Sequence, residues 1–148
     1  MLFDHDNDEP IRVLTDAESW ELLDNARHGR LATAAAGELD IVPINFRASG
    51  SKLYLKTTPG TKLAELTIHP QVAFEADGIL QDEAWSVVVK GTARVLESSE
   101  DIAAAEAANV ETWIPTEKTV YVELVPTSIA GRHFLLGAEP EQTTARDY

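Results

Sequence analysis

Cysteine is absent from this 148-residue chain. Disulfides, thiolate catalysis and cysteine-ligated zinc or iron–sulfur clusters are therefore excluded. Long apolar runs are missing too, and none suffices for a membrane span. The N-terminus is acidic and has no apolar stretch, so it does not read as a signal peptide, and a cytoplasmic protein is the expectation. Basic charge is scarce: 12 Lys and Arg stand against 25 Asp and Glu, a formal net charge of -13. A surface this acidic disfavours nucleic acid and anionic lipid, whose phosphates need a basic partner. No nucleic-acid or membrane partner is expected, although a local basic pocket still admits a small anion.

Common chemical signatures are missing as well. No Gly-x-Gly-x-x-Gly, no Gly-x-x-x-x-Gly-Lys-Ser/Thr and no Gly-x-Ser-x-Gly occurs. The four histidines, His5, His28, His69 and His133, are scattered without i, i+4 spacing and read as surface or helix-end residues. Asp4, Asp6 and Asp8 imitate the start of a calcium loop, but Glu9 stands where its glycine belongs and Thr15 where its closing glutamate belongs. No metal site is expected. No side chain stands out as a general acid or base, so the catalytic residues are unknown at this level.

What is present is a globular composition, 44% apolar and 25% charged, of one-domain size. Residues 1–10 read as a flexible acidic arm, 11–137 as the domain and 138–148 as a polar tail. Thr15-Asp16-Ala17-Glu18 is a capping box that opens a helix to about Arg27, with Trp20 and Leu23 on its buried face. Strands are expected at 30–35 and 39–47, with Pro43 inside the second, where a proline marks an edge, a bulge or a ligand. Further strands are expected from Lys52, over 71–77, over 85–96 and over 119–125, the last with a shorter segment at 129–135. Ser98-Ser99-Glu100-Asp101 caps an alanine-rich helix to about Asn109. About six strands joined by short turns, with three short helices as satellites, argue for a mainly β, antiparallel sheet or barrel rather than a parallel nucleotide-binding fold.

The most informative stretch is Lys52 to Leu66. Leu53 and Leu55 alternate with Tyr54 and Lys56, Thr58-Pro59-Gly60 breaks the strand, and Leu63 and Leu66 begin a helical spacing. A helix start offers free N–H groups and a positive dipole end, so Thr57, Thr58, Thr61, Lys56 and Lys62 crowded there suit a phosphate. Alone, the same residues also read as an ordinary helix start with exposed lysines. The neighbours shift the balance: Gly29-Arg30-Leu31-Ala32-Thr33, Ile41-Val42-Pro43-Ile44-Asn45-Phe46 and Ala84-Trp85-Ser86-Val87-Val88-Val89-Lys90-Gly91.

In this order and spacing, with Gly60-Thr61-Lys62-Leu63 followed by Ala64-Glu65-Leu66, the segments resemble the pyridoxamine 5′-phosphate oxidase-like family of the FMN-binding split-barrel superfamily, over roughly residues 16–134. The resemblance implies a six-stranded antiparallel split β-barrel with short flanking helices. It also implies a homodimer holding FMN in clefts between subunits, in a flavin-dependent oxidoreductase acting on a small molecule. Carried onto this chain, Arg30 and Lys62 would compensate the phosphate, and Thr57, Thr58 and Thr61 would donate to it. Pro43 and Asn45, with Val42 and Ile44, would lie along the ring, with Lys56 ending its strand there. Trp85 and Ser86 would come from the other subunit, Trp85 being equally readable as a core or interface aromatic. The ending Gly131-Arg132-His133-Phe134 replaces the arginine and aromatic pair of a true pyridoxamine phosphate oxidase, which argues against vitamin B6 oxidation and leaves Arg132 and His133 as ligand neighbours or a plain strand end. Two alternatives remain: a reductase using F420 on the same fold, and a non-catalytic flavin carrier.

Overall fold

A computed structural model describes residues 1–112 and 119–137; the side chains of residues 61–63 fall outside that description, as does the expected tail at 138–148. The elements are β1 (Ile11–Leu14), α1 (Asp16–Asp24), β2 (His28–Ala35), β3 (Glu38–Ser49), β4 (Lys52–Thr57), α2 (Thr61–Ile68), β5 (Gln71–Ile79), β6 (Glu83–Val95), α3 (Ser99–Ala108) and β7 (Val120–Leu135).

Every strand pairing is antiparallel, in the order β1-β7-β4-β3-β2-β5-β6, and β6 pairs back onto β7. Six strands, β2 to β7, thus close on themselves as a barrel. The barrel is split along β7. One side of β7 pairs with β6 throughout, whereas its other side meets β4 at Val120–Leu124 and β1 at Gly131–Phe134.

Two strand readings differ from expectation. β1 is a seventh strand, too short and too close to the acidic arm to stand out as a pattern. The two segments expected around Pro126 are one 16-residue strand. A register shift at Lys90/Gly91 carries β6 past Pro126, and Thr127 Oγ1 bonds the Lys90 carbonyl at 3.2 Å. Gly91 makes this passage: a Cβ there would stand 2.2 Å from the Val125 carbonyl oxygen and 2.9 Å from Pro126 Cα. Because that obstacle is backbone, Gly91→Ala is expected to destabilise by about 3 kcal/mol, checked by urea unfolding.

Alternation sets the core. Leu53, Leu55, Phe46, Phe74, Val87, Val89, Val122 and Leu124 are buried inside the barrel. The α1 helix packs against β3, β6 and β7, burying Ser19, Leu22 and Leu23. Its capping box is present as expected, Thr15 Oγ1 accepting from the Glu18 N–H and Glu18 Oε1 accepting from the Thr15 N–H. The α2 helix packs against β2 and β6, joined to the barrel by Thr33 Oγ1 and Glu65 Oε2 at 3.3 Å. The α3 helix covers Tyr54 and Tyr121, and ends at Asn109 in the left-handed conformation (φ 61°). Among the described residues no helix is long and apolar enough to cross a membrane.

Residues 1–10, expected as a flexible acidic arm, contact the barrel through Leu2 and Phe3. The Leu2 N–H donates to Glu83 Oε1 at 2.7 Å, and the Phe3 ring meets His133 edge-on at 5.4 Å.

Candidate functional site

Directly paired residues in an antiparallel sheet share a face, so register alone shows which candidates meet. Arg30 pairs with Pro43, and Asn45 with both His28 and Lys56. Lys56 pairs in turn with Tyr121. Pro43 and Asn45 are two apart on β3 and share a face. Arg30, Pro43, Asn45, Lys56 and Tyr121 therefore all lie on the outer face of the barrel wall.

Pairing between β3 and β4 stops at Asn45–Lys56, because β4 ends at Thr57 and the chain turns toward α2. On the β4 side, residues 42–44 form an edge in the ladder. At this break Asn45 Nδ2 is buried with no hydrogen-bond partner among the described residues. A buried amide donor left unpaired costs about 1–3 kcal/mol, so Asn45 offers a fixed donor to an acceptor from outside the chain, a water or a ligand. Lys56 Nζ stands 5.7 Å from the Tyr121 ring centroid, within cation–π range. Burial and then the Glu106 carboxylate push the Tyr121 phenol pKa up.

The other candidates are distributed by alternation. Val42 and Ile44 point inward, Ile44 as a core residue and Val42 packed against the core. Thr57 is half-buried on the face opposite Lys56, and Thr58 is exposed in the connection to α2. The α2 helix starts at Thr61 after Gly60 and has no side-chain cap. The cap residue, Gly60, offers the first-turn N–H groups no side-chain acceptor, and the side chains of Thr61 and Lys62 lie outside the described residues.

Arg30 is not a free cation. Its Nη1 bonds Glu75 Oε2 at 2.9 Å and Asp77 Oδ1 at 3.3 Å. Both carboxylates raise the guanidinium pKa, through the Glu75 hydrogen bond first. Glu75 is itself pushed up, by burial and then by the Asp77 neighbour. An anion reaching Arg30 must displace these carboxylates or share it with them. Trp85 and Ser86 lie on β6, three strands from Asn45 by way of β5 and β2. Three strand spacings amount to roughly 14 Å, so this chain alone does not join them to Asn45 and Lys56. The Trp85 indole leans over Gly78, where a Cβ would come within 2.3 Å of Nε1, and packs partly on the core. Ser86 faces outward between Asp77 and Arg132.

His133 departs most from expectation. It is 0% exposed rather than a surface residue, with Nε2 2.9 Å from Glu83 Oε1 and Nδ1 2.6 Å from His5 Nε2. Strand alternation across Gly131-Arg132-His133 carried the only signal that it faces inward; the contact with His5 spans 128 positions and has no local signature. The Leu2 N–H, followed by His133, lowers the Glu83 pKa below its ordinary 4.5. Glu83 therefore adds stability that is complete above that value and is lost as pH falls through the lower folded-state value. Glu83→Gln is expected to flatten the acid limb of stability, read from urea melts between about pH 6 and pH 3.

Among the described residues, no group of three or more His, Asp or Glu is placed to hold a metal. The pyridoxamine 5′-phosphate oxidase family model matches residues 15–133. A protein of Mycobacterium tuberculosis strain H37Rv, itself uncharacterised, is 38% identical over 94 residues, covering 64% of this chain and 86% of the relative. The solved structure of an FAD-binding protein from Mycobacterium smegmatis is 36% identical with a TM-score of 0.73, covering 85% of this chain and 100% of that one. An FAD-binding protein from Mesorhizobium loti superposes with a TM-score of 0.73 at 25% identity, covering 83% and 97%. With the split barrel, the break at Asn45 and a family match across nearly the whole described domain, this chain belongs to the pyridoxamine 5′-phosphate oxidase family.

Proposed function

We propose that this protein binds a flavin nucleotide, with the ring against β3 at Pro43 and Asn45 and the phosphate at the start of α2. The observation that carries this reading is the unpartnered, buried Asn45 amide beside Lys56, at the point where β4 leaves the sheet. A flavin ring has carbonyl and nitrogen acceptors along one edge, and needs an apolar wall with a few fixed donors. The uncapped first turn of α2, with Thr61 and Lys62 in it, suits a phosphate. Two similar proteins named as FAD-binding support the cofactor class. FMN is the smallest molecule that satisfies both ends of the site, and FAD shares them. F420 fits less well, because its anionic oligoglutamate tail would run across a surface of net charge -13.

A bound flavin supplies hydride or electron transfer, and this chain supplies binding and orientation. The reading is therefore an oxidoreductase, with a non-catalytic carrier as the second form. Titration of the purified protein with FMN, FAD and F420, followed by flavin fluorescence, tests the cofactor. Saturation by FMN or FAD near one equivalent per chain supports it, and no uptake of either rejects it. Steady reduction of bound flavin by NADH or NADPH separates enzyme from carrier.

The same reading needs a second copy, since Trp85 and Ser86 stand apart from Asn45 within one chain. The outer face of β2, β3, β5 and β6 supports this. It exposes Leu39 (85%) and Ile41 (67%) beside a cavity of ≈ 360 Å³ lined by Ala32, Ala34, Ala73 and Lys90 among others. Ile41→Glu is expected to give a monomer in sedimentation and to weaken flavin uptake together with it. A wild-type monomer that binds flavin fully would remove the dimer from the reading. Asn45→Ala is expected to weaken flavin binding by about 1 kcal/mol without lowering the stability of the free protein, because the amide nitrogen has no partner among the described residues to lose.

A further inference from the structure

His133 anchors a chain of contacts that the flavin reading does not use. Its Nε2 meets Glu83 Oε1, its Nδ1 meets His5 Nε2, and His5 Nδ1 lies 2.6 Å from the Glu9 carbonyl oxygen. The Leu2 N–H donates to the same Glu83 oxygen. The Phe3 ring covers His133 and is flanked by the Arg12 guanidinium at 5.5 Å, while Arg12 donates to the Asp4 carbonyl at 2.7 Å.

The proton count of this chain is constrained. Three contacts in a row end on two acceptors, the Glu9 carbonyl and the Glu83 carboxylate. Three hydrogen bonds need three N–H protons, and two neutral imidazoles hold two. With two protons, one contact sets a pair of acceptors face to face. With four, two N–H groups oppose each other between the rings. Glu83 does not supply the missing proton, because its carboxylate already accepts from Leu2 and its Oε2 lies 3.7 Å from the Met1 amine.

We propose that His5 and His133 share a single excess proton, and that this singly protonated pair latches the N-terminal segment onto the open end of the barrel. Losing that proton or gaining a second one releases the segment. The surrounding charges favour the closed, singly charged state. Glu83 faces the pair from β6 and compensates it directly. Arg12, the β1 residue paired with His133, is bound by Glu18 of α1 at 2.6 Å. Asp4, Asp6 and Glu9 line a cleft of ≈ 500 Å³ together with His5 and Arg12. Arg132 is exposed on the opposite face of β7. Opening uncovers His133, whose cross-strand neighbour is Trp85, so the latch governs the barrel end that carries Trp85.

The test is nuclear magnetic resonance on the full chain with ¹⁵N-labelled histidine, from about pH 5 to pH 8. The ring nitrogen shifts should report three protons on the pair where the segment is closed. Protection of the Leu2 amide from exchange should peak in that interval and fall on both sides, while barrel amides stay unchanged. His5→Ala, at a partly exposed position, should fold normally, accelerate Leu2 exchange roughly tenfold within the closed interval and match the wild type on both sides of it. Leu2 protection that is flat across the range, protection retained in His5→Ala, or two rings that stay both neutral or both charged throughout would each overturn the proposal.

Discussion

Alanine at Phe46 is expected to destabilise the protein by about 3–5 kcal/mol, lowering the melting temperature by roughly 10 °C. Phe46 is 0% exposed, and its ring meets Phe74 at 4.6 Å in a T-shaped contact between two walls of the barrel. Removing it leaves a cavity that closed strands on several sides cannot collapse into, so the loss includes the cavity as well as the transfer term. Its N–H also bonds the Arg27 carbonyl at 3.0 Å, fixing the entry to β2. Because Phe46 lies directly after Asn45, the variant should weaken flavin binding in proportion to stability, and Phe46→Leu should restore most of both. Thermal unfolding by circular dichroism, beside flavin titration, measures the two effects. Full stability in Phe46→Ala would mean that the Phe46–Phe74 contact does not hold the core together.

Lys62→Ala is expected to weaken flavin binding by about 2–5 kcal/mol, a fall of roughly thirty-fold to several thousand-fold. A phosphate dianion taken out of water needs charge-assisted donors, and removing one leaves the anion partly unpaired. Lys62 sits in the first turn of α2, where backbone N–H groups point the same way. Arg30, the other expected phosphate partner, is engaged by Glu75 and Asp77, so the α2 turn is expected to carry more of the phosphate than Arg30 does. Arg30→Ala should accordingly weaken binding less than Lys62→Ala. An unchanged dissociation constant for Lys62→Ala would remove the phosphate from this turn, whereas an equal effect at both positions would mean that Arg30 leaves its carboxylates on binding.

Much of the architecture was legible because it is local. Alternation over 85–95 predicted β6, the Thr15 and Ser98 caps predicted α1 and α3, and the break at Thr58-Pro59-Gly60 predicted the β4–α2 junction. Each rests on side-chain periodicity or on a hydrogen bond between residues three apart. The sequence pattern splits β7 near Pro126; the extra residue Thr127, bulging from β7 opposite the Lys90–Gly91 step, lets the ladder with β6 continue past the proline. The outward placement of Pro43, Asn45 and Lys56 follows from the same alternation, which also turns Val42 and Ile44 inward.

What the amino-acid order determined by itself was six of the seven strands, the last of them read in two pieces, and the three helices, since these depend on neighbours within a few residues. The tertiary structure alone decided the pairing of Arg30 with Glu75 and Asp77, the unpaired amide at Asn45 and the contact of His5 with His133. Those contacts exist because burying one face of each strand selects a single register across distant segments. That choice places groups 45, 47 and 128 positions apart within bonding distance.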